Sequence, residues 1–233
     1  MNQPDRKGAD LAFDGAAALR HLAAADPRLG ELIERVGPLA LSLRSTRSTF
    51  EALAEAIVYQ QLHARAAATI HGRVAALFPR GRLAPEPLLA LGDDALRAAG
   101  LSRGKTLAMR DLAARTLDGT VPPFSRLRSM DDAAIVERLV QVRGIGRWTV
   151  EMILIFRLGR PDVLPVHDFG VRHGFKVAYR KRAMPTPKAL ERHGEKWRPF
   201  RTVASWYLWR AADLARAAKA EGAQGKGKAG KSK

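Results

Sequence analysis

At 233 residues, 46% of them hydrophobic, the chain is long enough to bury one substantial core, or two small ones sharing an interface, without a covalent staple. Its 40 Lys and Arg against 23 Asp and Glu leave a net charge of +17, which points to a polyanionic partner, nucleic acid ahead of an anionic membrane surface. The absence of cysteine excludes disulfides, thiolate zinc sites, thiol nucleophiles and iron–sulfur clusters together.

Apolar residues recur at spacings of three and four along most of the chain, and alternating runs are scarce, so an all-α fold is expected. Residues 1–14 read as a flexible N-terminus. Leu19, Leu22 and Ala23 open the helical pattern, and Leu32, Ile33 and Val36 continue it after the Asp26-Pro27 break. Between Phe50 and Ile70 the apolar positions Leu53, Ile57, Leu62, Ala66 and Ile70 predict two helices or one bent one. Pro79 and Pro85 to Pro87 mark loops, with helices from Leu88 to Ala99 and Lys105 to Leu117, ended by Pro122 and Pro123.

Ser129, three residues before Asp132, gives an N-cap signature for a helix with the stripe Ile135, Val136, Leu139 and Val140. Gly144-Ile145-Gly146 stops that helix. Another begins near Trp148 and carries Val150, Ile153, Leu154 and Leu158 toward a core. Gly159, Pro161 and Pro165 make a loop, Asp168 stands where the next helix starts, and Leu190 to Ala218 supplies the last helical region. Beyond it, Lys226, Lys228, Lys231 and Lys233 lie in a Gly, Ala and Ser tract that predicts a disordered basic tail over 219–233. The longest apolar stretch, near Ile153, is interrupted by Glu151 and Arg157, and the N-terminus lacks the order of a signal peptide, so a soluble, cytoplasmic, monomeric protein is expected, with no membrane and no obligatory protein partner.

The chemistry centres on Val142-Arg143-Gly144-Ile145-Gly146-Arg147-Trp148-Thr149. Two glycines one residue apart free the backbone for left-handed angles, and their amides can approach a phosphate closely. The next helix adds exposed N–H groups and a favourable dipole. A Gly-x-Gly between helices is by itself more often a plain tight connection. Arg143 and Arg147 beside it tip the reading toward the DNA backbone, with Gly144, Ile145, Gly146 and Thr149 in the cradle and Arg103 and Lys105 as further phosphate candidates.

With the loop Gly159-Arg160-Pro161-Asp162-Val163-Leu164-Pro165 and Asp168, this hairpin resembles the helix-hairpin-helix (HhH-GPD) DNA glycosylases, most of all their 3-methyladenine DNA glycosylase II branch. Ile57-Val58-Tyr59-Gln60-Gln61-Leu62, Gly100-Leu101-Ser102-Arg103-Gly104-Lys105 and Trp197-Arg198-Pro199-Phe200-Arg201 through Trp209 extend the likeness over Ala16 to Ala212. It implies one bilobed domain over 15–218, two helical subdomains with the active-site cleft between them, and excision of alkylated purines such as 3-methyladenine and 7-methylguanine from double-stranded DNA.

By position Asp168 is a helix N-cap; the resemblance makes it also the catalytic anion, which suits the oxocarbenium character that builds on the sugar when an N-glycosidic bond breaks. Relatives that also nick the strand carry a lysine where this chain has Trp148, and no lysine stands between Lys105 and Lys176, so base removal without lyase activity is expected. The resemblance places the wedge that fills the vacated stack at Gln61 or Leu62, of which Leu62 also fits a core stripe. It places the base pocket at Trp148 and Trp209, with Tyr59, Gln60 and Met152 as neighbours; aromatic faces attract the positive charge of an alkylated purine. Trp206 and Tyr207 read as core. The six histidines show no metal-ligand spacing, and no cofactor is implied beyond a monovalent cation on the hairpin carbonyls. The rival readings are a non-catalytic hairpin protein that only binds DNA, and a glycosylase for oxidised or deaminated bases.

Overall fold

The computed structural model describes residue 11 and residues 13–229, with side chains through residue 221. Every regular element among these is helical. The first two helices, α1 (Gly15–Ala25) and α2 (Pro27–Val36), are capped by Asp14 and Asp26, and Pro27 opens α2 where a missing N–H costs nothing. Ser48 caps α3 (Thr49–Tyr59) through the Glu51 amide at 3.0 Å. Next come α4 (Ala64–Ala76), α5 (Pro85–Ala90), α6 (Asp93–Ala98) and α7 (Arg103–Leu117), the last capped by Ser102. The hairpin helices are α9 (Asp132–Leu139) and α10 (Arg147–Phe156), preceded by α8 (Phe124–Ser129). The chain ends with α11 (Phe169–Ala178), α12 (Pro187–Gly194) and α13 (Arg201–Ala229).

Several sequence expectations are corrected. The expected helix from Leu88 to Ala99 is two, because Leu91 and Gly92 are extended and α6 restarts on the acidic Asp93-Asp94 turn. Pro85 to Pro87 opens α5 and is not a loop, since proline is well suited to a first helical turn. Asp131, not Ser129, caps α9, accepting the amides of Ala133 and Ala134 at 2.9 and 3.4 Å; Ser129 closes α8. The stripe Leu53, Ile57, Leu62, Ala66, Ile70 holds only for its first two members. Gln61 takes a left-handed φ of 55°, which shifts the helical phase, so α4 buries Ala67 and Val74 while Leu62 and Ala66 are exposed. α13 continues past Ala218 to Ala229, so the backbone of the expected basic tail is helical that far; Lys231 and Lys233 lie outside the described residues, as does most of the expected flexible 1–14 segment.

The chain forms two compact units. One is Arg44–Leu158, whose core gathers Phe50, Leu53 and Ile57 of α3, Met109 and Leu112 of α7, and Ile135, Leu139, Val150 and Leu154 of the hairpin helices. The other combines the described residues up to Leu43 with those from Gly159 onward and packs α11 against α13, with α1 and α2 around them. Gly174 makes that contact possible: a Cβ there would meet the Leu208 carbonyl oxygen at 1.8 Å. Trp206 and Tyr207 are buried, as the sequence suggests, and the Tyr207 hydroxyl donates to the Gly37 carbonyl at 2.9 Å.

In the second unit a buried carboxylate gathers distant parts of the chain. Asp26, 2% exposed, accepts hydrogen bonds from the Tyr179 hydroxyl at 2.5 Å, the Trp197 indole at 2.9 Å and His193 Nε2 at 3.0 Å, with Lys196 Nζ at 3.0 Å. Burial alone would raise its pKa; the bonds from His193, Tyr179, Trp197 and Lys196 outweigh that and hold the carboxyl well below the usual range. Burial and the facing carboxylate push the Tyr179 phenol far up.

Candidate active site

The hairpin is built on two buried anchors. Val142 and Ile145, 1% and 3% exposed, plug into the first unit and leave Arg143, Gly144, Gly146 and Arg147 outside. Gly144 has φ 78°, the left-handed turn that reverses the chain, and the Ile145 amide closes it on the Val142 carbonyl at 3.0 Å. Asp111 on α7 fixes the approach by accepting the Arg143 amide at 2.7 Å. Gly146 stands before α10 with no side-chain cap, so the positive end of that helix faces outward. Arg147 Nε pairs with the buried Glu151 at 3.1 Å while most of its side chain remains exposed.

Beside the hairpin, within the same unit, lies a cavity of about 600 Å³. Trp148, Met152 and Phe156, spaced by four along α10, form one wall. Tyr59, Gln60 and Gln61 at the end of α3 form the opposite one. Tyr59 packs edge-on against His71, with ring centroids 6.2 Å apart. The Gln60 amide group donates to the Gly144 carbonyl at 2.8 Å, tying this wall to the hairpin. The structure therefore brings together the sequence-predicted Trp148, Tyr59, Gln60 and Met152. It adds Phe156, and a polar floor of Glu55 held by Arg157 and, at 3.2 Å, by Arg44. Glu55 was legible only as a polar residue one turn before Tyr59 on the same helix face.

Two assignments change. Thr149, expected at the DNA backbone, is 7% exposed and lines the cavity, because the helical residue directly after Trp148 turns inward. Lys105, expected at a phosphate, turns back onto the protein: its ammonium donates to the carbonyls of Val58 at 2.6 Å and Gln60 at 2.9 Å. Burial lowers its pKa. Arg103, by contrast, is exposed at the start of α7.

Asp168 is positioned in the second unit. The Gly159 to Pro165 loop before it is pinned by α13: the Thr202 hydroxyl donates to the Arg160 carbonyl at 2.6 Å and accepts the Val163 amide at 3.0 Å, and Arg201 pairs with Asp162 at 2.6 Å. Asp168 then caps α11, its Oδ1 accepting the Val171 amide at 2.7 Å. The same oxygen accepts the indole N–H of Trp209, on α13, at 2.8 Å. Trp209 reaches it across Gly170, where a Cβ would lie only 2.7 Å from Trp209 Cδ1. Gly170 is a site residue the sequence does not announce, since a glycine near a helix start carries no distinctive pattern. His167, next to Asp168, is exposed.

Residues 54–199, which span the hairpin, the loop and Asp168, match the model of the HhH-GPD superfamily base excision DNA repair protein. The chain belongs to the HhH-GPD superfamily. It is 36% identical over 201 residues to DNA-3-methyladenine glycosylase 1 of Schizosaccharomyces pombe, covering 84% of this chain and 86% of that one. A solved structure of a 3-methyladenine DNA glycosylase from Schizosaccharomyces pombe in complex with abasic DNA matches with a TM-score of 0.73 and 35% identity, over 85% of this chain and 98% of that one. A DNA-3-methyladenine glycosidase from Bacillus halodurans matches with a TM-score of 0.77 and 37% identity, over 84% and 88% of the two chains. The HhH-GPD match takes in the hairpin of the first unit and the Gly159 to Pro165 loop and Asp168 of the second.

Proposed function

We propose that this HhH-GPD protein is a base excision repair DNA glycosylase of the 3-methyladenine glycosylase II type, which removes alkylated purines from double-stranded DNA and leaves the strand uncut. The observation that carries the reading is the clamped carboxylate of Asp168. A backbone amide and an indole N–H grip one oxygen, so the side chain is fixed in advance and need not reorganise as charge develops.

In the reaction the bond between C1′ and the purine nitrogen breaks and its electron pair leaves with the base. An N3- or N7-alkylated purine carries a positive charge and departs neutral, so strong general acid catalysis is unnecessary. The sugar is left as an oxocarbenium ion, which the Asp168 carboxylate stabilises. Water then adds at C1′ and gives up a proton, completing hydrolysis to an abasic site. The cationic base is drawn to the aromatic faces of Trp148 and Tyr59, within a cavity whose size suits a small-molecule site. The exposed Gln61 and Leu62 turn fills the vacated stack.

The hairpin grips the backbone without reading sequence, through the amides of Gly144 and Gly146 and the exposed Arg143, Arg147 and Arg103. Its Val142 and Gly144 carbonyls accept hydrogen bonds from Ile145 and Gln60, and each keeps a second lone pair, an oxygen pair that fits a monovalent cation facing the phosphates. Strand cleavage by a Schiff base requires an amine where Trp148 stands; of the two lysines that flank it in sequence, Lys105 is committed to two carbonyls and Lys176 lies on α11 of the second unit.

Chromatography of bases released from methylated DNA tests the proposal. Wild-type protein is expected to free 3-methyladenine and 7-methylguanine, and Asp168→Asn to bind duplex DNA normally while releasing neither. Undiminished release by Asp168→Asn would end the mechanism. Oxidised and deaminated duplexes offered in parallel separate the alkylation reading from a glycosylase for neutral lesions.

A further inference from the structure

Lys105 lies in the first turn of α7, where a basic side chain ordinarily reaches into solvent. Here two of its three donors are spent on the carbonyls of Val58 and Gln60. Those carbonyls end α3, where helical partners run out and the dipole is negative, so an ammonium is well placed there. Directly beyond them the chain makes the turn containing left-handed Gln61 and exposed Leu62. From the other side the same turn is held by the Gln60 side chain on the Gly144 carbonyl at 2.8 Å. The turn is thus braced at two points, one on α7 and one on the hairpin. A partly desolvated cation that already serves two acceptors is poorly suited to a phosphate.

We infer that Lys105 is a positioning residue that holds the Gln60–Gln61–Leu62 turn in the one conformation able to enter the duplex as the damaged base leaves it. The inference rests on the base-extruding reading given above. Because the brace joins the turn to the hairpin through Gln60, gripping the backbone and filling the stack become a single rigid event.

The test compares wild type with Lys105→Met and Lys105→Arg. Binding to undamaged duplex is followed over a range of salt, and single-turnover release is measured from a methylated base that is either correctly paired or mispaired. For Lys105→Met the salt slope is expected to stay unchanged and release of the paired base to slow roughly 10- to 100-fold. Mispairing lowers the unstacking cost, so release should then recover most of the way to wild type. Lys105→Arg should share the defect, because a planar fork does not fit the compact ammonium site. A salt slope reduced by about 0.9, with Arg restoring full activity, would make Lys105 a phosphate ligand and overturn the inference. Equal losses on paired and mispaired substrates would overturn it too. If Lys105→Met fails to fold by circular dichroism, Gln60→Leu, which removes the opposite brace, must show the same difference between paired and mispaired substrates. Should wild type release no base at all, the glycosylase reading fails by itself, and 2-aminopurine fluorescence, which reports extrusion without bond cleavage, still decides the role of Lys105.

Discussion

Replacing Gly170 with alanine adds one methyl group to the first turn of α11 and sets two physical effects against each other. Helix propensity favours the change by about 1 kcal/mol. Packing opposes it: the new carbon would lie 2.7 Å from Cδ1 and 3.1 Å from Nε1 of Trp209, and 3.1 Å from Oδ1 of Asp168. Carbon atoms settle at about 3.5 to 4.0 Å, so the indole must retreat by about 1 Å, and its 2.8 Å bond to Asp168 is lost. Overpacking costs about 1–3 kcal/mol, and losing a hydrogen bond to a charged group about 1.5–3 kcal/mol. Packing therefore wins, and Gly170→Ala is expected to lose about 2–4 kcal/mol of stability in urea unfolding. Single-turnover base release should fall with it, because the carboxylate loses its clamp from Trp209, while duplex binding through the hairpin persists. A gain of about 1 kcal/mol with unchanged release would show that propensity decides and that Trp209 does not hold the carboxylate.

Asp26→Asn removes the charge that Tyr179, His193, Trp197 and Lys196 all face, and should destabilise the protein by about 3–5 kcal/mol in chemical unfolding. The sign with pH follows from the depressed carboxyl: its contribution is complete above the ordinary value of 3.8 and is lost as pH falls through the lower folded value. The stability gap between wild type and Asp26→Asn should accordingly be constant near neutrality and shrink only below that ordinary value. Borohydride added during turnover should trap no covalent complex with DNA, as judged by denaturing electrophoresis; a trapped band would mean that some amine other than one at position 148 attacks the sugar.

Much of this protein is legible in its sequence where the signal is local. Gly144 between two amphipathic stripes announces the hairpin, because its left-handed turn demands a residue without a side chain, whereas Gly146 is extended with φ -92° and does not use that freedom. Asp168 reads as an N-cap, and the Val171 amide bears that out. Signals that depend on distant partners are not legible. A lysine in a helix's first turn has the same local pattern whether it faces a phosphate or the end of another helix, so the sequence does not reveal that Lys105 donates to Val58 and Gln60. Leu62 fits a core stripe only if the helical phase runs unbroken, and the positive φ of Gln61 breaks it. Asp26-Pro27 shows a helix boundary but not the donors that arrive from Tyr179 and Trp197. Gly170 is required by Trp209, a side chain from a helix the local sequence does not contain.

The Asp26 cluster also bears on how the polypeptide is made. Its carboxylate leaves the ribosome early, whereas Tyr179, His193 and Trp197 emerge only after the whole of Arg44–Leu158 has been synthesised. The inner unit is complete first and is free to fold on its own schedule, while α1 and α2 wait for α11 and the segment that follows it. A nascent chain stopped before Trp197 holds an anion meant for the interior without its full set of donors, and apolar helix faces without their cover.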